Sequence, residues 1–136
     1  MESILIDRAR WSKSSQRSQG SHYSSNAMYY ENISYLCVMC KNKSIFSAED
    51  QKFSYEVKKQ FIWRIPTLCH NCHENLTRLL SKEREFQKLW NVNREEMKLN
   101  VSFLKDWLNT IKEIHAHGKT TNYTMVAGIL KLLRAT

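Results

Sequence analysis

Glycine and proline are almost missing: there are three glycines and one proline in 136 residues. A chain this poor in glycine has no phosphate-cradling loop, and neither a Gly-x-Ser-x-Gly elbow nor a His-Glu-x-x-His helix is present. Long apolar runs are missing too. Ile4-Leu5-Ile6 is too short for a secretory signal, and no stretch approaches the roughly 20 residues of a membrane span. Acidic residues are scarce, 13 against 21 Lys and Arg, which leaves a formal charge of +8. Together these absences point away from P-loop enzymes, serine hydrolases, zinc proteases and membrane proteins. The expectation is a non-enzymatic protein, cytoplasmic or nucleoid-associated, with no small-molecule substrate and no membrane.

Cysteine is sparse but arranged. All four cysteines fall in two pairs, Cys37-Val38-Met39-Cys40 and Cys69-His70-Asn71-Cys72, separated by 28 residues. Thiolates two residues apart on a tight turn bind one metal ion together, and two such turns make the four-sulfur tetrahedron that zinc prefers. Cys37, Cys40, Cys69 and Cys72 are therefore the candidate Zn²⁺ ligands. Two buried or disulfide-forming pairs, or a thioredoxin-like redox pair, are the competing readings. His70 lies within the second pair and His73 just after it, and both are expected beside the cage rather than in it. Four thiolates and one Zn²⁺ lower the formal +8 by two, so the loaded protein is still basic.

The neighbouring residues shape the cage. Asn42 can take the left-handed backbone conformation a knuckle needs. Pro66 precedes the second pair, and a run without Gly or Pro follows it, so Cys72 is expected at a helix N-terminus, where the dipole favours thiolate. A turn-borne pair joined to a helix-borne pair is a treble-clef arrangement.

These residues resemble a known family. Cys37-x-x-Cys40, then Ile45-Phe46-Ser47-Ala48-Glu49-Asp50-Gln51-Lys52-Phe53, then Ile65-Pro66-Thr67-Leu68-Cys69-x-x-Cys72 is similar to the "probable zinc-ribbon" (treble-clef type) domain of small bacterial and phage proteins. The resemblance covers about residues 35 to 75. It departs from the family at Lys41, where a glycine is usual, and at His73, where an arginine is usual. It implies a zinc-stapled binding module without catalysis, and names no partner. Residues 68–73 also resemble the closing knuckle of HNH-type nucleases. Those enzymes need a general-base histidine between the cysteine pairs, and residues 38–69 contain none. A degenerate HNH-type nuclease is the third-ranked reading.

The expected organisation is a small α+β protein, a treble-clef/zinc-ribbon module followed by an α-helical extension. Residues 1–27, with seven serines between 12 and 25, read as a flexible basic tail, with Ile4, Leu5, Ile6 and Trp11 as an apolar patch upon it. Residues 28–80 form the zinc module, and the Tyr-rich 28–36 stretch leads as a strand into the first knuckle. Ser47 with Asp50 caps a helix starting near Ala48, whose apolar face is Phe53, Val57 and Phe61. Ile62 to Ile65 reads as extended. Residues 81–136 form two or three helices, broken near Asn91-Val92-Asn93, closed at Gly118 and recapped at Thr121 or Asn122.

Two functions compete. In the first, the module is an accessory subunit of a nucleic-acid-handling complex, with Lys41, Lys43, Lys58, Lys59, Arg64 and Arg78 on phosphates and Trp63 stacking. In the second, it is a protein–protein adaptor that docks through Leu104, Trp107, Leu108, Ile111 and Leu130 on its C-terminal helices, without nucleic acid.

Overall fold

The computed structural model describes residues 3–18 and 26–135. The chain divides into two compact units, residues 1–37 with 42–67, and residues 38–41 with 68–136.

The first unit starts with residues the sequence reading assigned to a flexible tail. After a 3-10 turn at Arg8–Arg10, Ser12 accepts from the Ser15 amide (3.1 Å) and starts α1, Lys13–Arg17. The Ser15 hydroxyl is buried and accepts from the amide of Ile62 at 2.9 Å. Leu5 bridges Tyr29 in antiparallel fashion, with Ile6 N to Met28 O and Tyr30 N to Ile4 O both at 2.9 Å. Trp11 is 6% exposed and shares a core with Tyr30, Phe46, Tyr55 and Ile62. The flexible-tail assignment of 1–27 therefore fails for residues 3–18. Serine count suggests a linker, but Ser12 and Ser15 satisfy backbone groups, and Trp11 supplies enough apolar area to hold the segment. The linker assignment for residues 19–25 lies outside the described residues.

Strand β1, Ile33–Leu36, pairs antiparallel with β2, Lys43–Phe46, in the register Ile33↔Phe46 to Leu36↔Lys43. Ser47 then accepts from the Asp50 amide and starts α2, Ala48–Lys52, as its capping motif predicts. The helix runs on into a π turn, Phe53–Val57, where Lys58 N reaches back five residues to Phe53 O (3.0 Å). The extra residue rotates the following side chains. Tyr55 and Glu56 turn inward, and the expected apolar face of Phe53, Val57 and Phe61 is exposed. Ile62 to Ile65 is a turn and irregular chain rather than a strand, with Arg64 N bonded to Phe61 O.

Buried polar side chains tie this unit together. Gln51 donates to Glu31 O (2.6 Å) and Phe46 O (2.8 Å). Glu56 accepts from Tyr30 Oη (2.8 Å), the Asp7 amide (3.2 Å) and Lys52 Nζ (3.0 Å), while Trp11 Nε1 donates to Tyr30 Oη at 2.8 Å. Tyr55 Oη donates to Arg64 O (2.9 Å), and burial pushes its pKa up to about 12.

In the second unit, α3 runs from His70 to Val92 and breaks at Asn93, and α4 is the short turn Arg94–Met97. Asn100 accepts from the Phe103 amide and starts α5, Val101–Ala116. Gly118 takes the left-handed conformation (φ +89°) after it, and Asn122 caps α6, Tyr123–Arg134. The core is Phe103, Leu104, Trp107, Leu108, Ile111 and Ile129, with Phe86 and Trp90 of α3 packed upon it. Ring centroids of Trp90 and Trp107 are 5.6 Å apart, and those of Phe86 and Phe103 5.4 Å. This arrangement removes the proposed docking face: Leu104 (0% exposed), Trp107 (2%), Leu108 and Ile111 are buried, and Leu130 is half-buried against the same cluster. The α5 stripe is covered by α3 folding back, each buried side chain contributing about 1.5–3 kcal/mol.

The N-terminal assignment has a direct test. Ser15→Ala leaves the buried Ile62 amide without its acceptor, and should cost about 1–3 kcal/mol in denaturant unfolding of the full chain. An unchanged midpoint would mean that residues 12–18 do not belong to the fold.

Candidate metal centre

The first knuckle is the tip of the β1–β2 hairpin. Cys37 follows β1 directly, is fully buried, and its amide donates to Asn42 O at 3.0 Å. Positive φ falls on Lys41 (φ 64°), not on Asn42 as the sequence suggested. Lys41 is the position where the resembling family usually has glycine. A left-handed conformation there strains a side-chain-bearing residue, and the Lys41 ammonium donates to Val38 O (2.8 Å), closing the turn over itself.

The second knuckle is the start of α3. Cys69 is its N-cap and Cys72 lies in its first turn, with His73 N bonded to Cys69 O at 2.8 Å. That turn contains no acidic residue, so no carboxylate of the helix start competes with the sulfurs for the positive end of the helix dipole.

The two knuckles place the four sulfurs of Cys37, Cys40, Cys69 and Cys72 within 4.8 Å of one another. Cys40 Sγ and Cys69 Sγ are 3.8 Å apart. That is far beyond a disulfide of about 2.05 Å, and none of the four cysteines is in a disulfide. It matches the edge of a tetrahedron with metal–sulfur bonds of about 2.3 Å, roughly 3.8 Å. The residues present thus fit a four-thiolate metal ion. His70 and His73 are not among the ligands: His70 Nε2 lies 3.0 Å from Glu74 Oε1, and both histidines are exposed. At the end of α5, His115 Nδ1 contacts Lys119 O and His117 Nδ1 contacts Glu113 O, so that histidine pair is engaged by backbone carbonyls.

The candidate phosphate-contacting residues are all exposed. Lys43, Lys58, Lys59, Trp63 and Arg64 belong to the first unit, and Lys41 and Arg78 to the second. Several are engaged already. Lys58 Nζ stands 5.4 Å over the Phe53 ring, Lys59 Nζ donates to Arg10 O, Trp63 Nε1 donates to Ser18 Oγ (2.8 Å), and Arg78 donates to Asn75 Oδ1.

Sequence reasoning missed one support of the site. A Cβ on Gly118 would stand 3.2 Å from Val38 Cγ2, so the corner after α5 approaches the first knuckle. The closing of a helix by glycine is legible, but the neighbour that approaches it is not.

Residues 31–78 match the family described as "Probable treble clef domain". Comparison with curated proteins and with solved structures finds no match. Hairpin knuckle, helix-borne second pair and family match agree: this segment is a treble-clef module with four clustered cysteines, followed by a helical extension. Among the described residues, no helix is long and apolar enough to cross a membrane.

Lys41→Gly should relieve the left-handed strain and stabilise the module by up to about 1 kcal/mol, less what the lost Lys41–Val38 bond contributes. Thermal unfolding of the metal-loaded protein measures it. A clear loss of stability would mean the ammonium contact outweighs the strain.

Proposed function

We propose that the metal is zinc, that it is structural, and that the module is a basic, non-catalytic binding unit for nucleic-acid phosphates within a larger complex. The observation that carries the reading is the four-thiol cluster. Four soft thiolates at tetrahedral spacing suit Zn²⁺, and a cage filled by protein ligands leaves no position for an activated water. The metal then stabilises the fold and does no chemistry.

Nucleic acid is favoured as partner by charge. The chain carries +8, and Lys43, Lys58, Lys59 and Arg64 are exposed on one unit. Phosphate contact by a few such residues is electrostatic and tolerant of sequence. The adaptor reading keeps one supporting observation, the exposed Phe53, Val57 and Phe61, although the C-terminal residues first assigned to it are buried.

Titrating zinc-loaded protein into labelled single- and double-stranded oligonucleotides at several salt concentrations tests this. The log–log slope should be roughly −2 to −5, with little sequence preference. The strands should stay intact with Mg²⁺ or Mn²⁺ present. Binding that survives high salt, or that is absent at low salt, contradicts phosphate contact and leaves the adaptor reading. Strand cleavage contradicts the non-catalytic part.

A further inference from the structure

The helical unit holds a groove of about 450 Å³ that the treble clef does not involve. Its apolar wall is made by Trp90, Trp107, Met125, Ile129 and Leu132. Gly128, in the middle of α6, also lines it, and a Cβ built on that residue would meet nothing within 4 Å. Glycine is the poorest helix former after proline. Gly128 is exposed, and its missing side chain leaves that stretch of the groove open.

The charged residues that line the groove have one sign. Arg94 and Lys98 line it and no carboxylate does. The Arg94 guanidinium lies over the Trp90 ring, 5.4 Å from its centroid. Lys98 Nζ is shared with exposed Glu95 at 3.1 Å, so Arg94 is the freer cation. Glu83, on α3, is engaged by Trp107 Nε1 (3.1 Å) and Gln87 Nε2 (2.8 Å). The first turn of α6 reaches the groove through Thr124 and carries no acidic residue. Apolar wall, open recess and cationic rim describe a complement for a molecule with an apolar body and an anionic head.

We propose that this groove is a binding site for a small amphipathic carboxylate, an aliphatic or aromatic acid whose tail occupies the recess at Gly128 and whose head meets Arg94. The volume lies within the roughly 300–1,000 Å³ of small-ligand pockets. The site requires neither zinc chemistry nor nucleic acid, so it stands apart from the function proposed above.

The test uses the full zinc-loaded chain and two probes with one tail, dodecanoate and dodecyltrimethylammonium, both below their micelle concentrations. Trp90 and Trp107 report by fluorescence, and calorimetry gives the stoichiometry. The expected result is one saturable equivalent of dodecanoate, with the cation at least about tenfold weaker. Arg94→Glu should erase that preference. Gly128→Leu should abolish dodecanoate binding while helicity and metal content are kept. If Gly128→Leu does not fold, Arg94→Glu decides alone, since Arg94 is exposed. Equal affinity for both probes, non-saturating uptake, no binding, or indifference to both variants overturns the proposal. So does displacement of dodecanoate by an acidic amphipathic helical peptide at lower concentration, which would make the groove a peptide dock.

Discussion

Four sulfurs within 4.8 Å of one another cannot all be thiolates unless a cation stands among them. This constraint organises the module. It requires two backbones that each present two sulfurs from a short span, and the chain meets it in two ways. The first is a hairpin tip where Cys37 N closes on Asn42 O and Lys41 accepts a left-handed conformation. The second is a helix start, where Cys69 occupies the N-cap and Cys72 lies in the first turn. Such a site stores little cohesion until it is filled, so much of the folding free energy of a treble clef arrives with its metal.

The two units hold together by different means. The helical unit is an apolar core, with indole and phenyl rings stacked between α3 and α5 and little polar content. The first unit has a smaller core and relies on polar side chains that bind backbone. Gln51 joins the carbonyls of Glu31 and Phe46, Ser15 receives the Ile62 amide, and Glu56 gathers Tyr30, Lys52 and the Asp7 amide. Gln51 belongs to the Ser-x-x-Asp-Gln-x-Phe stretch that prompted the family resemblance, and its double bond to backbone gives that residue a structural reason. Its Oε1 is buried without a protein partner.

Local chemistry was the legible part. Cysteine spacing located the cage, and Ser47, Gly118 and Asn122 marked helix ends where the structure has them. Each of these signals acts within a few residues, so the sequence carries it directly. What was not legible depends on partners far along the chain. Phe53, Val57 and Phe61 form an apolar stripe on an ideal helix, but the helix widens into a π turn with Tyr55 inside and ends at Val57, so that stripe never forms and all three are exposed. The stripe on α5 announces a face that needs covering. Whether α3 or another protein covers it is a tertiary matter, and Phe86 and Trp90 do so. Ser12 and Ser15 look like linker until Ile62 and the Trp11–Tyr30–Glu56 network are seen beside them.

The central claim is that Cys37, Cys40, Cys69 and Cys72 hold one zinc ion and leave it no open position. X-ray absorption at the zinc edge, on protein purified under reducing conditions, tests this most directly. The account predicts four sulfur neighbours at about 2.3 Å and no lighter atom in the first shell. A nitrogen or oxygen neighbour at about 2.0–2.2 Å would mean that a histidine or a water completes the site, and would contradict a closed structural cage.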